Sequence, residues 1–244
     1  MSGSNEKVVD HYSRYFQMIH ATTEELKTLA YQLRHQIYRV ECGFLNLGNS
    51  VNQDKEVDDY DKYSSHALLI HKPTQQVIGC IRLVPKTQQH NHPLPIESAY
   101  SGTIELNKTP LKNLQGIDVS EISRIAIAAS FRQRLSCTYD SSQQLTESDA
   151  HNRYPINYLP MSLMMAAMHF GFRDGIEYGF AFIESSFAKM LSRLGVKFEQ
   201  VGKPAEYFGL RTPYLVYGDD TYMNLSPDFR ELFDKISSEL SASQ

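Results

Sequence analysis

Cysteine is scarce in this chain, and the three present, Cys42, Cys80 and Cys137, form no C-x-x-C pair. Their odd number and wide spacing exclude a disulfide framework and read as reduced thiols, with Cys80 a small core residue. No stretch approaches the ~18 apolar residues of a membrane-spanning helix. The opening M-S-G-S-N-E-K has no apolar run of the signal-peptide kind. The expectation is a cytoplasmic protein. No strongly basic segment stands out against a net charge of −4, so nucleic acid is not an expected partner. G-x-S-x-G is missing and no cysteine lies in a nucleophile motif, which leaves a covalent acyl-enzyme without support. His90 and His92 lie in a Pro- and Asn-rich stretch with no matching ligands, and no metal site is expected.

What is present is ordinary for a globular protein: 41% hydrophobic and 21% charged residues in 244. That length buries a sizeable core. No internal repeat or linker interrupts it, so one domain over residues 1–244 is expected, with 1–21 as an extension and 225–241 as a C-terminal helix. Thr22 and Glu25 have capping-box spacing. Leu26, Leu29, Ala30, Leu33, Ile37 and Val40 follow as a core-facing helical stripe, with Arg34, Tyr38 and Glu41 beside it and Gly43 as the stop. Residues 46–62 read as an acidic loop. His66–His71 and Gln76–Val84 read as a hairpin, with Ile78, Cys80, Arg82 and Val84 on one face. After an irregular excursion over 85–117, Asp118–Ala128 returns as a strand. Alternation there groups Glu121 and Ser123 with Ile125 and Ile127, and Arg124 with Ile122 and Ala126, unless a bulge intervenes. A polar loop over 130–156 precedes a helix over 158–172, a strand over 178–183 and a helix capped by Ser185 and ended by Gly195. Strands over 196–201 and 210–217 and a helix opened by Ser226 and Pro227 complete the chain. The fold class is α/β (α+β), a mixed sheet with helices packed on it.

Arg34, Glu56, Asp58, Asp61, Arg82, Glu121 and Arg124 place charges in or beside apolar segments. An unpaired buried charge costs several kcal/mol, so these distant segments must converge on one electrostatic cluster.

The combined pattern R-x3-Y-x5-F, E-x-D-x2-D, G-C-x-R-L and E-x-S-R resembles the autoinducer-synthase branch of the GNAT acyltransferase superfamily. Phe44 stands where that branch carries tryptophan, and Tyr38 where it carries phenylalanine. V-E-C-G-F-L, S-S-H-A-L-L-I, L-P-I-E, G-V-K-F-E-Q-V-G and E-Y-F-G-L-R-T-P-Y draw the likeness, over about residues 24–217, toward PEP-CTERM/exosortase-associated acyltransferases, relatives of long-chain N-acyl amino acid synthases.

The resemblance implies a GNAT-like fold and transfer of a fatty acyl group from an acyl carrier protein thioester to the amine of an amino acid, with no permanently bound cofactor. The alternatives are a homoserine-lactone synthase acting on S-adenosylmethionine and a non-enzymatic acyl-binding module of the exosortase system. An amino acid's amine is mostly protonated at neutral pH, so a base is required, and Glu121 is the candidate. Its other reading is a partner for Arg82 or Arg124. The donor for the developing oxyanion falls, by resemblance, among the backbone N–H groups around Arg124, Ile125, Ala126 and Ile127. Arg34 either holds the acceptor's carboxylate or pins the acidic loop through Asp58 or Asp61. Phe44 would cover the acceptor pocket, and Arg82 would be structural. Met161, Met164, Met165 and Met168 line either an acyl tunnel or plain core. After the Glu121 strand, A-A-S-F-R-Q-R-L-S-C has no glycine of a pyrophosphate loop, which favours a carrier protein over coenzyme A. Arg132, Arg134, Lys189, Arg193 and Lys197 are candidates for steering that acidic partner, or simply a solvated face.

Overall fold

The computed structural model describes residues 6–44, 54–106, 116–136 and 158–243, with side chains of the third segment through Arg132. One sheet organises these residues. Its order is β1 (Phe16–His20), β2 (Ser65–His71), β3 (Gln76–Lys86), β4 (Val119–Ile127), β5 (Tyr178–Ile183), β8 (Leu210–Tyr217) and β6 (Phe198–Gln200), with β7 (Ala205–Glu206) paired to β8. Every pairing is antiparallel except β4 with β5. The mixed sheet flanked by helices agrees with the expected fold class.

Helix α5 (Leu159–Arg173) lies across β2, β3 and β4, and α8 (Pro227–Ala242) packs on α5. All but three residues of α5 are buried, as its nearly continuous apolar sequence predicts. Pro227 at the first turn and the Ser226 hydroxyl accepting from the Phe229 amide start α8 where expected. Its Leu232, Phe233, Ile236 and Leu240 point inward.

Residues 6–21 are not an appendage. Val8–Tyr15 forms helix α1, and Phe16–His20 pairs with Ala67–His71 of β2 as an edge strand. Glu239 of α8 ties both in place, accepting from the Tyr12 hydroxyl at 2.8 Å and the Met18 amide at 2.9 Å. Hydrogen bonds to a charged acceptor contribute about 1.5–3 kcal/mol. Glu239→Ala is therefore expected to cost about 2 kcal/mol or more in urea unfolding and to speed hydrogen exchange at the Met18 amide. Unchanged protection there would contradict the tether.

Several local expectations are corrected. Thr23, not Thr22, caps α2 (Glu24–His35), its side chain accepting from the Leu26 amide. The helix then widens into a π turn over Gln36–Glu41, with the Cys42 amide bonded to the Ile37 carbonyl. The buried face runs through Ala30, Tyr31, Arg34 and Ile37, while Leu29 and Val40 of the expected stripe are exposed. The extra residue in that turn changes the helical phase beyond His35. Ile78 is the extra residue of a bulge in β3, so it packs with Ile81 and Leu83 rather than with Cys80. Ser185 begins α6 (Ser185–Arg193) instead of capping it, because its hydroxyl bonds Thr212 and Tyr214. Part of the expected loop over 130–156 is a helix, α4 (Ala129–Ser136), and Gly218–Asn224 forms a further helix, α7. Pro95–Ala99 is the short helix α3 inside the excursion. Cys80 is buried, and burial pushes its thiol up to about 12, so it stays protonated. Cys137 lies outside the described residues. Among the described residues no helix is long and apolar enough to cross a membrane.

Candidate active site

The acidic motif E-V-D-D-Y-D folds on its own carboxylates. Asp58 caps the 3-10 turn Asp59–Tyr63 by accepting from the Tyr60 amide, and Asp61 reaches back to the Asp58 amide. The turn presents Glu56, Asp58 and Asp61 to three arginines from three other segments. Arg34 on α2 donates to Glu56 and, as a two-pronged pair at 2.8 and 3.1 Å, to Asp61. Arg82 on β3 reaches Asp58 at 2.6 Å and Asp61 at 2.8 Å, and also donates to Ser123. Arg124 on β4 bonds Glu56 and Asp58. Six opposite charges thus cancel inside a buried frame. Burial by itself would raise the Asp61 carboxyl, but Arg34 and Arg82 hold it well below the usual range. His66, packed against Asp61, is pushed down to about 4, chiefly by burial, and stays neutral.

A bulge in β4 is what brings Arg124 to this frame. Cys80 pairs with Ala126 but Arg82 with Ser123, so Arg124 and Ile125 together face Ile81. Arg124 takes the left-handed φ of +54° that such an extra residue permits. The simple alternation expected for β4 therefore fails at this point. Arg124 joins the frame beside Ser123, while Ile122, Ile125 and Ile127 face α5. Tyr38 donates its hydroxyl to the Ile125 carbonyl at 2.8 Å and clamps the bulge to α2's π turn. Burial pushes its phenol above its ordinary range.

The same region opens a cleft. β4 and β5 pair only from Val119/Tyr178 to Glu121/Phe180, and beyond that β4 continues with β3 while β5 continues with β8. Ile122–Ile125 and Ala181–Ile183 therefore line opposite walls of a gap with about 810 Å³ of empty space, its open mouth included. Glu121 stands at its closed end. The residue is 4% exposed, and its carboxylate accepts from the Ile96 amide of α3 at 2.6 Å. Desolvation raises its pKa to about 7, against the lowering effects of the Ile96 N–H, Arg82 and Arg124. Those arginines are salt-bridged to the aspartates and Glu56, and the ion pair with Glu121 weighed from the sequence is not formed among the described residues.

Phe44 also lines the cleft. Gly43, at φ +70°, turns the chain so that the Phe44 amide bonds the Tyr38 carbonyl. Its ring lies 5.1 Å from that of Phe208, which belongs to the turn between β7 and β8. Arg34 does not reach the cleft. It is 1% exposed, and its guanidinium is occupied by Glu56 and Asp61. Met164 lines the cleft, Met161 and Met165 lie in the core, and Met168 borders a small separate void behind Ile122. A second groove continues past Ile125, Ile183, Phe187 and Arg211 to Ala126 and Arg132, the latter paired with Glu41. Lys189, Arg193 and Lys197 are exposed, but Arg193 and Lys197 border a different groove with Asn224 and Phe229. The Arg134 side chain lies outside the described residues. His92 stacks on Tyr63 at 3.9 Å.

Glu56, placed in the charged cluster by the sequence but given no site role there, holds two arginines, as each aspartate does. Arg211, Tyr207 and Phe208 were also missed as cleft residues. Their signal was the aromatic and basic run E-Y-F-G-L-R, which sequence spacing alone could not place beside β4.

Residues 33–140 match the family described as Acetyltransferase (GNAT) domain. The fold is GNAT-like. TofI, solved in a ternary complex with an inhibitor and MTA, superposes with a TM-score of 0.59 at 17% identity, covering 87% of this chain and 98% of TofI. BjaI, a CoA-dependent acyl-homoserine lactone synthase solved with SAM and isopentyl-CoA, gives 0.55 at 18%, covering 91% and 89%. FeeM, an N-acyl amino acid synthase from uncultured soil microbes, gives 0.53 at 13%, covering 86% and 95%. No curated protein matches the sequence significantly. The GNAT-like likeness thus extends over most of the chain in three dimensions.

Proposed function

We propose that this protein is an N-acyltransferase that moves a long-chain fatty acyl group from an acyl carrier protein thioester to the amine of an amino acid, within the PEP-CTERM/exosortase setting its motifs resemble. The observation that carries this reading is Glu121, a buried carboxyl raised to about 7 at the closed end of a cleft beside a strand bulge. A base with that pKa takes a proton from an ammonium or its attacking amine near neutral pH. The amine nitrogen attacks the thioester carbonyl carbon, and Glu121 receives its proton directly or through water. The C–N bond forms, the C–S bond breaks, and the thiolate leaves to be protonated. Backbone N–H groups around the Arg124–Ile125 bulge are the proposed donors to the oxyanion. The frame of Arg34, Arg82, Arg124 and three carboxylates keeps that bulge in place. A glycine-free start to α4 favours the carrier protein as donor, with the groove past Arg132 as its approach.

Purified protein incubated with long-chain acyl carrier protein and a pool of amino acids should give N-acyl amino acids detectable by mass spectrometry, faster than with the matching acyl-CoA. Lactones alone, formed when S-adenosylmethionine is added, would replace this reading with an autoinducer synthase. Absence of any product from either acceptor would favour a non-catalytic acyl-binding role.

A further inference from the structure

Of the arginines this fold brings near the cleft, Arg34, Arg82 and Arg124 are already bound to carboxylates. Arg211, at the start of β8, lines the cleft and forms no ion pair among the described residues. Backbone carbonyls fix its side chain instead. Nε donates to Tyr207 at 2.8 Å, while Nη1 and Nη2 make longer contacts of 3.4 Å with Phe182 and Phe208. Neutral carbonyls orient the guanidinium plane without cancelling its charge. A guanidinium has five N–H donors, so at least two remain for a ligand. Its surroundings are the rings of Phe44, Phe182, Tyr207 and Phe208, which also line the cleft. An anion there meets a pre-oriented cation in an apolar wall, where the attraction is stronger than in water.

Register sets the spacing. Glu121 pairs with Phe180, and the Arg211 guanidinium reaches back to the level of Phe182, two residues further along β5. At about 3.3 Å per residue this is about 7 Å along the strand. An α-amino acid with one hydrogen bond at its amine and one at its carboxylate spans roughly the same distance, each bond contributing about 2.8 Å.

We propose that Arg211 is the anchor for the acceptor's α-carboxylate, and so determines that the acyl group goes to free amino acids rather than to neutral amines. This rests on the acyltransferase reading above. The anion recognised is an oxyacid, and a phosphate on the donor arm would offer the same chemistry, so the test separates the two.

The protein is assayed with acyl carrier protein thioester against a pool of the common amino acids and, separately, the pool of their carboxamides. Wild type should form at least ten times more product from the acids. Arg211→Gln should raise the acceptor KM by about 10–100-fold, the size of a lost charge-assisted contact, and collapse the preference, leaving the donor KM unchanged. Arg211→Lys should retain part of it. The two pools are also compared by thermal shift, a readout independent of turnover in which only the acids should stabilise wild type. Equal use of acids and carboxamides by wild type would overturn the proposal even if the variant misfolds. A rise confined to the donor KM would assign Arg211 to the donor's phosphate instead. If neither pool yields product, the acyltransferase reading fails, and the thermal-shift comparison alone then decides whether Arg211 marks a carboxylate site.

Discussion

Glu121→Gln is expected to lower kcat by about 10²–10⁴-fold, the usual contribution of a positioned general base. The amide keeps an oxygen to accept from the Ile96 amide, so the fold should survive. Wild-type turnover should rise with pH through about 7, as the carboxyl ionises, and the variant should lose that limb. Stability should move the opposite way. The folded carboxyl is raised from 4.5 to about 7, so the folded protein binds more protons than the unfolded chain between those values. Burying Glu121 is therefore tolerated below pH 4.5 and becomes a cost as pH rises through about 7. A shift of this size corresponds to about 3 kcal/mol at 1.36 kcal/mol per pKa unit. Glu121→Gln should thus stabilise the protein at pH 8 relative to pH 5, as measured by urea midpoints at both values. His66 pulls in the other direction. Its folded pKa of about 4 means that it contributes stability above 6.5 that is lost as pH falls toward 4. In wild type the two slopes partly cancel, and the variant should expose the slope of the lowered histidines, His66 and His20 foremost. A variant with full activity, or one destabilised equally at both pH values, would remove Glu121 from the chemistry.

Arg34→Leu should be among the most destabilising single changes, by about 3–5 kcal/mol, because it leaves three buried carboxylates to two arginines, with Glu56 held by Arg124 alone and Asp61 by Arg82. Replacing Asp61 by Asn in the same chain should recover part of that loss, since the frame's excess negative charge is then removed. Arg82 would still hold Asp58. The paired change is the informative one. If it is as damaging as the sum of both single changes, the frame is not a charge-compensated unit. Catalysis should suffer less than stability in surviving protein at low temperature, because Arg34 does not line the cleft. Acid should weaken the frame as well. The depressed Asp61 contributes stability that is present above the ordinary aspartate range and lost as pH falls through its folded value.

Most of the elements were legible because their apolar periodicity is strong. The α5 run from Leu159 to Arg173, the short apolar runs of β5 and β8, and the Ser226–Pro227 start of α8 all follow local chemistry. Convergence of the arginines with the acidic motif was legible too, since buried charges require partners wherever the chain goes. α1 and β1 were not. Val8–Tyr15 and Phe16–His20 are short elements, and their order depends on Glu239, more than two hundred residues away in sequence. The π turn after α2 and the bulge in β3 escaped for a related reason, and the bulge in β4 was legible only as an open alternative. One extra residue in a helix or strand leaves no mark in composition, yet it changes which face every later side chain occupies.

The charged pattern by itself determined that Arg34, Arg82 and Arg124 must meet Glu56, Asp58 and Asp61, and the helix and strand periods determined a mixed α/β sheet. Only the tertiary structure decided who pairs with whom. The bulge at Arg124 turned that arginine into the frame and left Glu121 to a backbone amide, and the parting of β4 from β5 opened a cleft at its carboxyl. The physical reason is that pairing rules act locally along the chain. Desolvation and the choice among carboxylates depend on the whole packed neighbourhood, where a shift of one residue exchanges one partner for another.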